Sequence, residues 1–136
     1  MDVFLDQTFP ASTEILASLR QSVRDACRRA GCGEECSEQM VLAVNEAAMN
    51  IIQHGYRHAA GQHFTLRLSV DGDMLFVHLL DNGLPASDAD LRPRALEELR
   101  PGGLGVHFMR EVMDEVAYRA APEDFTNCLQ LRKRMY

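Results

Sequence analysis

Glu46, Asn50 and His54 recur every four residues in LAVNEAAMNIIQHGY (residues 42–56), a stretch that is otherwise largely apolar, with Val44, Ala47, Ala48, Ile51 and Ile52 among its members. Four helical residues advance about 400°, so each of the three stands one turn above the last and roughly 40° round from it. An isolated carboxylate taken into a core costs on the order of several kcal/mol. A carboxylate, an amide and an imidazole on one stripe therefore line a cavity, or they form a polar edge facing water; this stretch alone allows either.

Two other stretches offer chemistry. In LLDNGLP (79–85) an apolar run ends in Asp81, with Gly83 and Pro85 close behind. This is either an ordinary turn at a strand end or a carboxylate delivered into a pocket, with Gly83 leaving room for a ligand against the backbone. In PGGLGVHFMREVMDEV (101–116), Gly102, Gly103 and Gly105 stand before and inside the first turn of a helix. Glycine costs about 1 kcal/mol in a helix, so three here call for a reason. Unhindered N–H groups at a helix start bind phosphate, and the helix dipole adds to the attraction. A turn that simply breaks the chain is the plainer reading of the same glycines.

The elements that must position these residues follow from period and punctuation. Residues 3–9 have strand content and stop at Pro10. Ser12 or Thr13 can cap a helix whose apolar residues, from Ile15 and Leu16 through Leu19 and Val23 to Ala26 and Cys27, recur at three and four. Gly31 and Gly33 end it, and Ser37 offers the N-cap of the helix that carries Glu46 and Asn50. HFTLRLSV (63–70) alternates, DGD (71–73) turns, and MLFVHLL (74–80) returns as a more fully buried strand. Residues 82–103, with Pro85, Pro93 and Pro101, form a long loop with one helical turn around RALEEL, and loops of that length are usually functional. A helix from Leu104 and two strands, EVAYRA and NCLQLRKR, complete the order β, α, α, β, β, loop, α, β, β. That order predicts a single α/β domain over residues 1–136, a two-layer sandwich of a mostly antiparallel sheet with helices on one face.

Composition narrows the function. The chain is 46% hydrophobic and 25% charged, as globular domains are. A formal net charge of −6 argues against a general nucleic-acid binder, despite the basic LRKRMY at the end. No run reaches the roughly 20 apolar residues of a membrane span, and MDVFLDQTFP lacks the pattern of a signal peptide, so the expected compartment is the cytoplasm. Cys27, Cys32, Cys36 and Cys128 do not fall into paired CxxC motifs and read as reduced, structural cysteines.

A Glu/Asn helix, a hairpin, a strand ending in Asp-x-Gly-x-Pro, a long loop and a glycine-rich helix start, in that order, resemble the GHKL ATPase superfamily of gyrase, the large heat-shock chaperone, histidine kinases and MutL. Within it the chain resembles the small anti-sigma-factor serine/threonine kinases of the RsbW and SpoIIAB type. NEAAMNIIQHGY is similar to their N box, DNGLP to the first glycine box and GGLGVHFMREVMDEV to the second. The resemblance implies a Bergerat-type GHKL fold. It implies that Asn50 holds Mg²⁺ together with the ATP phosphates and that Glu46 is the catalytic base. Asp81 would accept a hydrogen bond from the adenine amino group, with Gly83 beside it. The amides of Gly103, Leu104, Gly105 and Val106 would cradle phosphates, and Thr126 would support the adenine side. His54 fits a position where these kinases usually have histidine. The family's lid arginine, which contacts the γ-phosphate or the partner, has no match directly before the second box. Arg100 is the nearest candidate, with Arg92 and Arg94 upstream. PEDFTN (122–127) also lacks the glycine usual in that turn.

By the same resemblance, the expected function is ATP- and Mg²⁺-dependent phosphorylation of a serine on a STAS-domain anti-sigma factor antagonist, coupled to sequestration of a sigma factor. Homodimerisation is implied by the resemblance alone, and no direct contact with nucleic acid or membrane is expected. The alternatives are a nucleotide-binding interaction module that transfers nothing, and a partner-switching kinase whose target is not a sigma factor. The catalytic domain of a two-component histidine kinase is a further rival, but the sequence shows no helical hairpin with a phosphoacceptor histidine.

Overall fold

Leu19, Val23, Ala26 and Cys27 recur at helical spacing and are all fully buried, which is why residues 16–29 form a helix laid on a sheet. The computed structural model describes residues 1–91 and 103–136. It runs β1 (Asp2–Pro10), a short 3-10 turn (Thr13–Ile15), α1 (Leu16–Arg29), α2 (Glu34–Asn50), a π-helical turn (Ile51–Gly55), β2 (His63–Asp71), β3 (Met74–Asp81), a 3-10 turn (Asp88–Leu91), α3 (Gly103–Val112), β4 (Glu115–Arg119) and β5 (Asn127–Arg134). The five strands form one sheet in the order β1-β2-β3-β5-β4, every pair antiparallel. The expected two-layer sandwich is what the chain adopts.

Strand alternation builds the core. Phe64, Leu66 and Leu68 of β2, Leu75, Val77 and Leu79 of β3, and Leu129 and Leu131 of β5 are buried with Leu19, Val23, Met40, Val44, Ala47 and Met109 from the three helices. Each large aliphatic side chain taken fully out of water contributes about 1.5–3 kcal/mol. The hairpin turn between β2 and β3 places Gly72 at φ +63°, where a side chain would be strained. The N–H of Tyr118 in β4, an edge strand, donates to the Asp88 carboxylate at 2.7 Å, so the segment after β3 is tied back to the sheet.

Local details depart from the sequence reading. Ser12 accepts the Glu14 N–H as expected, but it caps the 3-10 turn that leads into α1. Helix α2 starts one turn earlier than Ser37, with Gly33 as N-cap; Ser37 is buried inside the helix, where its hydroxyl donates to the Cys32 carbonyl. Cys32 and Cys36 are joined as a disulfide, contrary to the expectation that all four cysteines are reduced. The chain reverses through Gly31 at φ +90° and sets Cys32 against the first turn of α2, with the two Cα atoms 5.9 Å apart. Cys27 and Cys128 are free and buried, and burial pushes the Cys27 thiol up to about 12. The helical turn expected around RALEEL lies outside the described residues. Among those described, no helix is long and apolar enough to cross a membrane.

Candidate functional site

Helix α2 delivers the first two polar side chains. Its buried face, Met40, Val41, Ala43, Val44, Ala47 and Ala48, packs into the core, leaving Glu46 and Asn50 half-buried at its margin. Asn45 beside them is engaged, accepting from Arg20 at 3.0 Å. Glu46 and Asn50 make no hydrogen bond or ion pair with the described residues. Their polar atoms are therefore open to water or to a ligand.

The α-helix stops at Asn50. The Tyr56 N–H bonds five residues back to the Ile51 carbonyl at 2.8 Å, which widens the turn into a π-helix. His54 is exposed on this wider turn, so the stripe read from the sequence ends with Asn50.

The helix end is packed directly on the strand-end turn. A Cβ on Gly83 would lie 2.7 Å from both the carbonyl carbon and oxygen of Gly55, and the Leu84 N–H donates to that oxygen at 3.0 Å. Packing alone already requires glycine at 83, because the Gly55 backbone occupies its side-chain direction. Tyr56, 8% exposed, joins the same parts, donating to the His63 carbonyl at 2.7 Å and accepting from the Asn82 N–H at 2.7 Å. Burial pushes the Tyr56 phenol up, the Asn82 N–H pulls it down and the charge of Asp81 pushes it up again.

Asp81 ends β3 and is only 4% exposed. Burial pushes its carboxyl above the ordinary carboxylate range, while the hydrogen bonds from Asn127 and the Gly83 N–H draw it back. Both donors reach the same oxygen: Asn127 Nδ2 is 3.0 Å and the Gly83 N–H 2.9 Å from Oδ1. Among the described residues Oδ2 accepts nothing. Thr126 is exposed and reaches the turn through other atoms, its N–H pointing at the Asp81 carbonyl (3.0 Å) and Asn82 Oδ1 (2.9 Å), its hydroxyl at Asn82 Oδ1 (3.4 Å).

Asp81, Gly83 and Thr126 thus meet where the π-turn after α2 packs on the end of β3 and on the residue before β5, while Glu46 and Asn50 stand on α2 upstream of that turn. Gly103, Leu104, Gly105 and Val106 form the first turn of α3, which packs against α2, and a helix start of this kind leaves its first N–H groups without intrahelical partners. Arg100, with Arg92 and Arg94, lies outside the described residues. Sequence reasoning missed Asn127, Asn82 and Tyr56 as site-building residues. No local signal marked the first, whose partner Asp81 is set across from it by strand register. A cavity of about 340 Å³ adjoins the turn between Tyr56, Arg57 and Gln62 and Asn82, Leu84 and Pro85, and is lined by neither Asp81 nor Asn50. Among the described residues no cluster of three or more His, Cys, Asp or Glu could hold a metal ion.

The chain matches the sequence profile of the histidine kinase-like ATPase domain over residues 9–133. It is 29% identical over 121 residues to the serine-protein kinase RsbW of Bacillus subtilis (strain 168), covering 83% of this chain and 76% of that one. To the RsbW of Bacillus mycoides (strain KBAB4) it is 27% identical over 120 residues, 82% and 74% of the two chains. Among solved structures, the RsbU and RsbW domains of a Mycobacterium tuberculosis protein superpose with a TM-score of 0.68 at 16% identity, covering 96% of this chain and 32% of that one. The SiaB–SiaC complex of Pseudomonas aeruginosa gives 0.65 at 15% identity, covering 97% and 89%. Those two likenesses are of fold. The profile match spans nearly the whole sequence, and with it the chain belongs to the histidine kinase-like ATPase domain family.

Proposed function

We propose that the chain is an ATP- and Mg²⁺-dependent protein serine/threonine kinase that works by partner switching, phosphorylating a small antagonist protein and sequestering a second regulator. Its similarity to serine-protein kinases RsbW supports the reaction class. The observation that carries the reading is the pair of half-buried side chains Glu46 and Asn50, without a hydrogen bond or ion pair among the described residues, on the helix whose exit packs against Asp81 at Gly55. The residues present fit the nucleotide. Asp81 keeps Oδ2 for a donor on the base, Asn50 offers one amide oxygen, and the first turn of α3 offers backbone N–H groups.

When bound, ATP would supply the phosphoryl group and Mg²⁺ would neutralise charge on its phosphates. Asn50 would hold the ion through its one neutral amide oxygen. Glu46 accepts the proton of the attacking serine hydroxyl and orients it. Because the nucleophile loses its proton late in a loose transition state, the base contributes toward the low end of the usual range. The antagonist is read as a STAS-domain protein and the sequestered regulator as a sigma factor, both from the resemblance in the motifs; homodimerisation has the same footing. Arg100 is the candidate lid contact to the phosphates or the partner.

The test is single-turnover transfer from labelled ATP to a co-purifying protein, run beside nucleotide binding for wild type and Glu46→Gln. Transfer should slow by about 10²-fold with ATP affinity nearly unchanged. Unimpaired transfer with normal binding removes Glu46 as the base. If the wild type labels nothing that co-purifies, the chain is a nucleotide-dependent binding module.

A further inference from the structure

Asn127 is the first residue of β5 and lies directly across from Asp81 in the antiparallel register, only 5% exposed. Both its N–H donors are used and its oxygen is engaged. Nδ2 donates to Asp81 Oδ1 at 3.0 Å and to the Leu84 carbonyl at 2.9 Å, and its oxygen accepts the Ala86 N–H at 2.9 Å. One side chain therefore holds the Asp81 carboxylate and the two ends of the segment 84–86.

We propose that Asn127 is the positioning residue that fixes how the Asp81 carboxylate is turned toward the base, and so sets the preference for adenine over guanine nucleotides. The proposal rests on the reading of Asp81 as the contact to the adenine amino group. With Asn127 and the Gly83 N–H both on Oδ1, the carboxylate cannot rotate without breaking two hydrogen bonds inside a buried site. Oδ2, an acceptor in the ionised carboxylate, is thereby held in one direction. A base presenting an amino donor satisfies it, whereas a base presenting a carbonyl oxygen leaves two acceptors facing each other. Without Asn127, Gly83 is the one holder of the carboxylate among the described residues, and part of the binding free energy for ATP goes into ordering it. GTP, which gains no bond from Oδ2, loses nothing by the change.

The experiment compares ATP and GTP affinity by competition against a fluorescent nucleotide, for wild type, Asn127→Ala and Asn127→Ser. In the variants ATP affinity should fall about 10-fold and GTP affinity stay within about 2-fold, so that the preference shrinks by their ratio. In the transfer assay KM for ATP should rise with kcat retained, since Glu46 is untouched. Equal losses for both nucleotides, or a fall in kcat at unchanged KM, reduce Asn127 to a structural residue and overturn the proposal. Equal ATP and GTP affinity in the wild type sinks the adenine reading of Asp81 itself, and this proposal with it. Amide exchange on the wild type needs no variant to fold. Saturating ATP should slow exchange at Ala86, whose N–H the Asn127 oxygen accepts, and GTP should not; no slowing at Ala86 with ATP overturns the coupling.

Discussion

Replacing Asp81 by asparagine keeps one acceptor oxygen for Asn127 and the Gly83 N–H and turns the other into a donor. Stability and function should then move in opposite directions. Burial raises the folded-state pKa of Asp81 above its unfolded value, so between the two pKa values the folded chain binds more protons than the unfolded one. Stability therefore falls as pH rises through that window; the full cost is present above it and vanishes below it. Asp81→Asn carries no charge to desolvate, and it should melt higher than wild type near pH 7. The gap should close as pH drops to the ordinary carboxylate range of about 4. Melting curves across that range check it, and a gap that is constant with pH would contradict it. The same variant should lose much of its preference for ATP over GTP. Asp81 was legible in the sequence because a carboxylate ending an apolar run is conspicuous. Asn127 was not, because its partner lies 46 residues away and is chosen by strand register.

The contact between the end of α2 and the turn after β3 belongs to two elements at once, and it is unequal on its two sides. A Cβ on Gly83 would meet backbone atoms of Gly55 at 2.7–2.9 Å, and backbone cannot swing away. A Cβ on Gly55 would sit 3.9 Å from Asp81 Oδ1 and 4.0 Å from the Gly83 Cα, ordinary contacts. Gly83→Ala should therefore cost about 1–3 kcal/mol by forcing helix and turn apart. Gly55→Ala should change stability by less than about 1 kcal/mol. Urea midpoints at constant slope measure both, and a tolerated Gly83→Ala would show that the junction is loose. Neither effect could be read from the sequence. Period fixes which residues face the core, but it does not say which backbone segments touch. The π-turn was hidden for a similar reason: Ile51–Gly55 carries no local mark that separates five-residue from four-residue hydrogen bonding. At the start of α2 the preference for serine as N-cap pointed to Ser37. The reversal at Gly31–Gly33, bridged from Cys32 to Cys36, begins the helix a turn sooner.

For the molecule as a whole, alternation in β2, the turn at Gly72 and the helical periods were enough to give the layer order, because each element buries a face that only this stacking can cover. Ligand binding should act on the stability of that whole. A ligand at 100 times its dissociation constant adds about 2.7 kcal/mol to a folded state that alone binds it. ATP with Mg²⁺ should raise the melting temperature accordingly. Mg²⁺ without nucleotide should not, because Asn50 offers one neutral oxygen and the described residues hold no cluster of carboxylates or imidazoles for an ion. A thermal shift of similar size from Mg²⁺ alone would mean that the metal has a site of its own.

The tie between Asp88 and Tyr118 bears on how the protein behaves in crowded solution. β4 is the last strand of the sheet, and an outward N–H on such a strand invites another chain to add itself and start an aggregate. At Tyr118 that invitation is already taken by the Asp88 carboxylate at 2.7 Å. The segment leading away from Asp81 thus serves as a stopper on the sheet margin, and an incoming strand has to evict Asp88 before it can pair there.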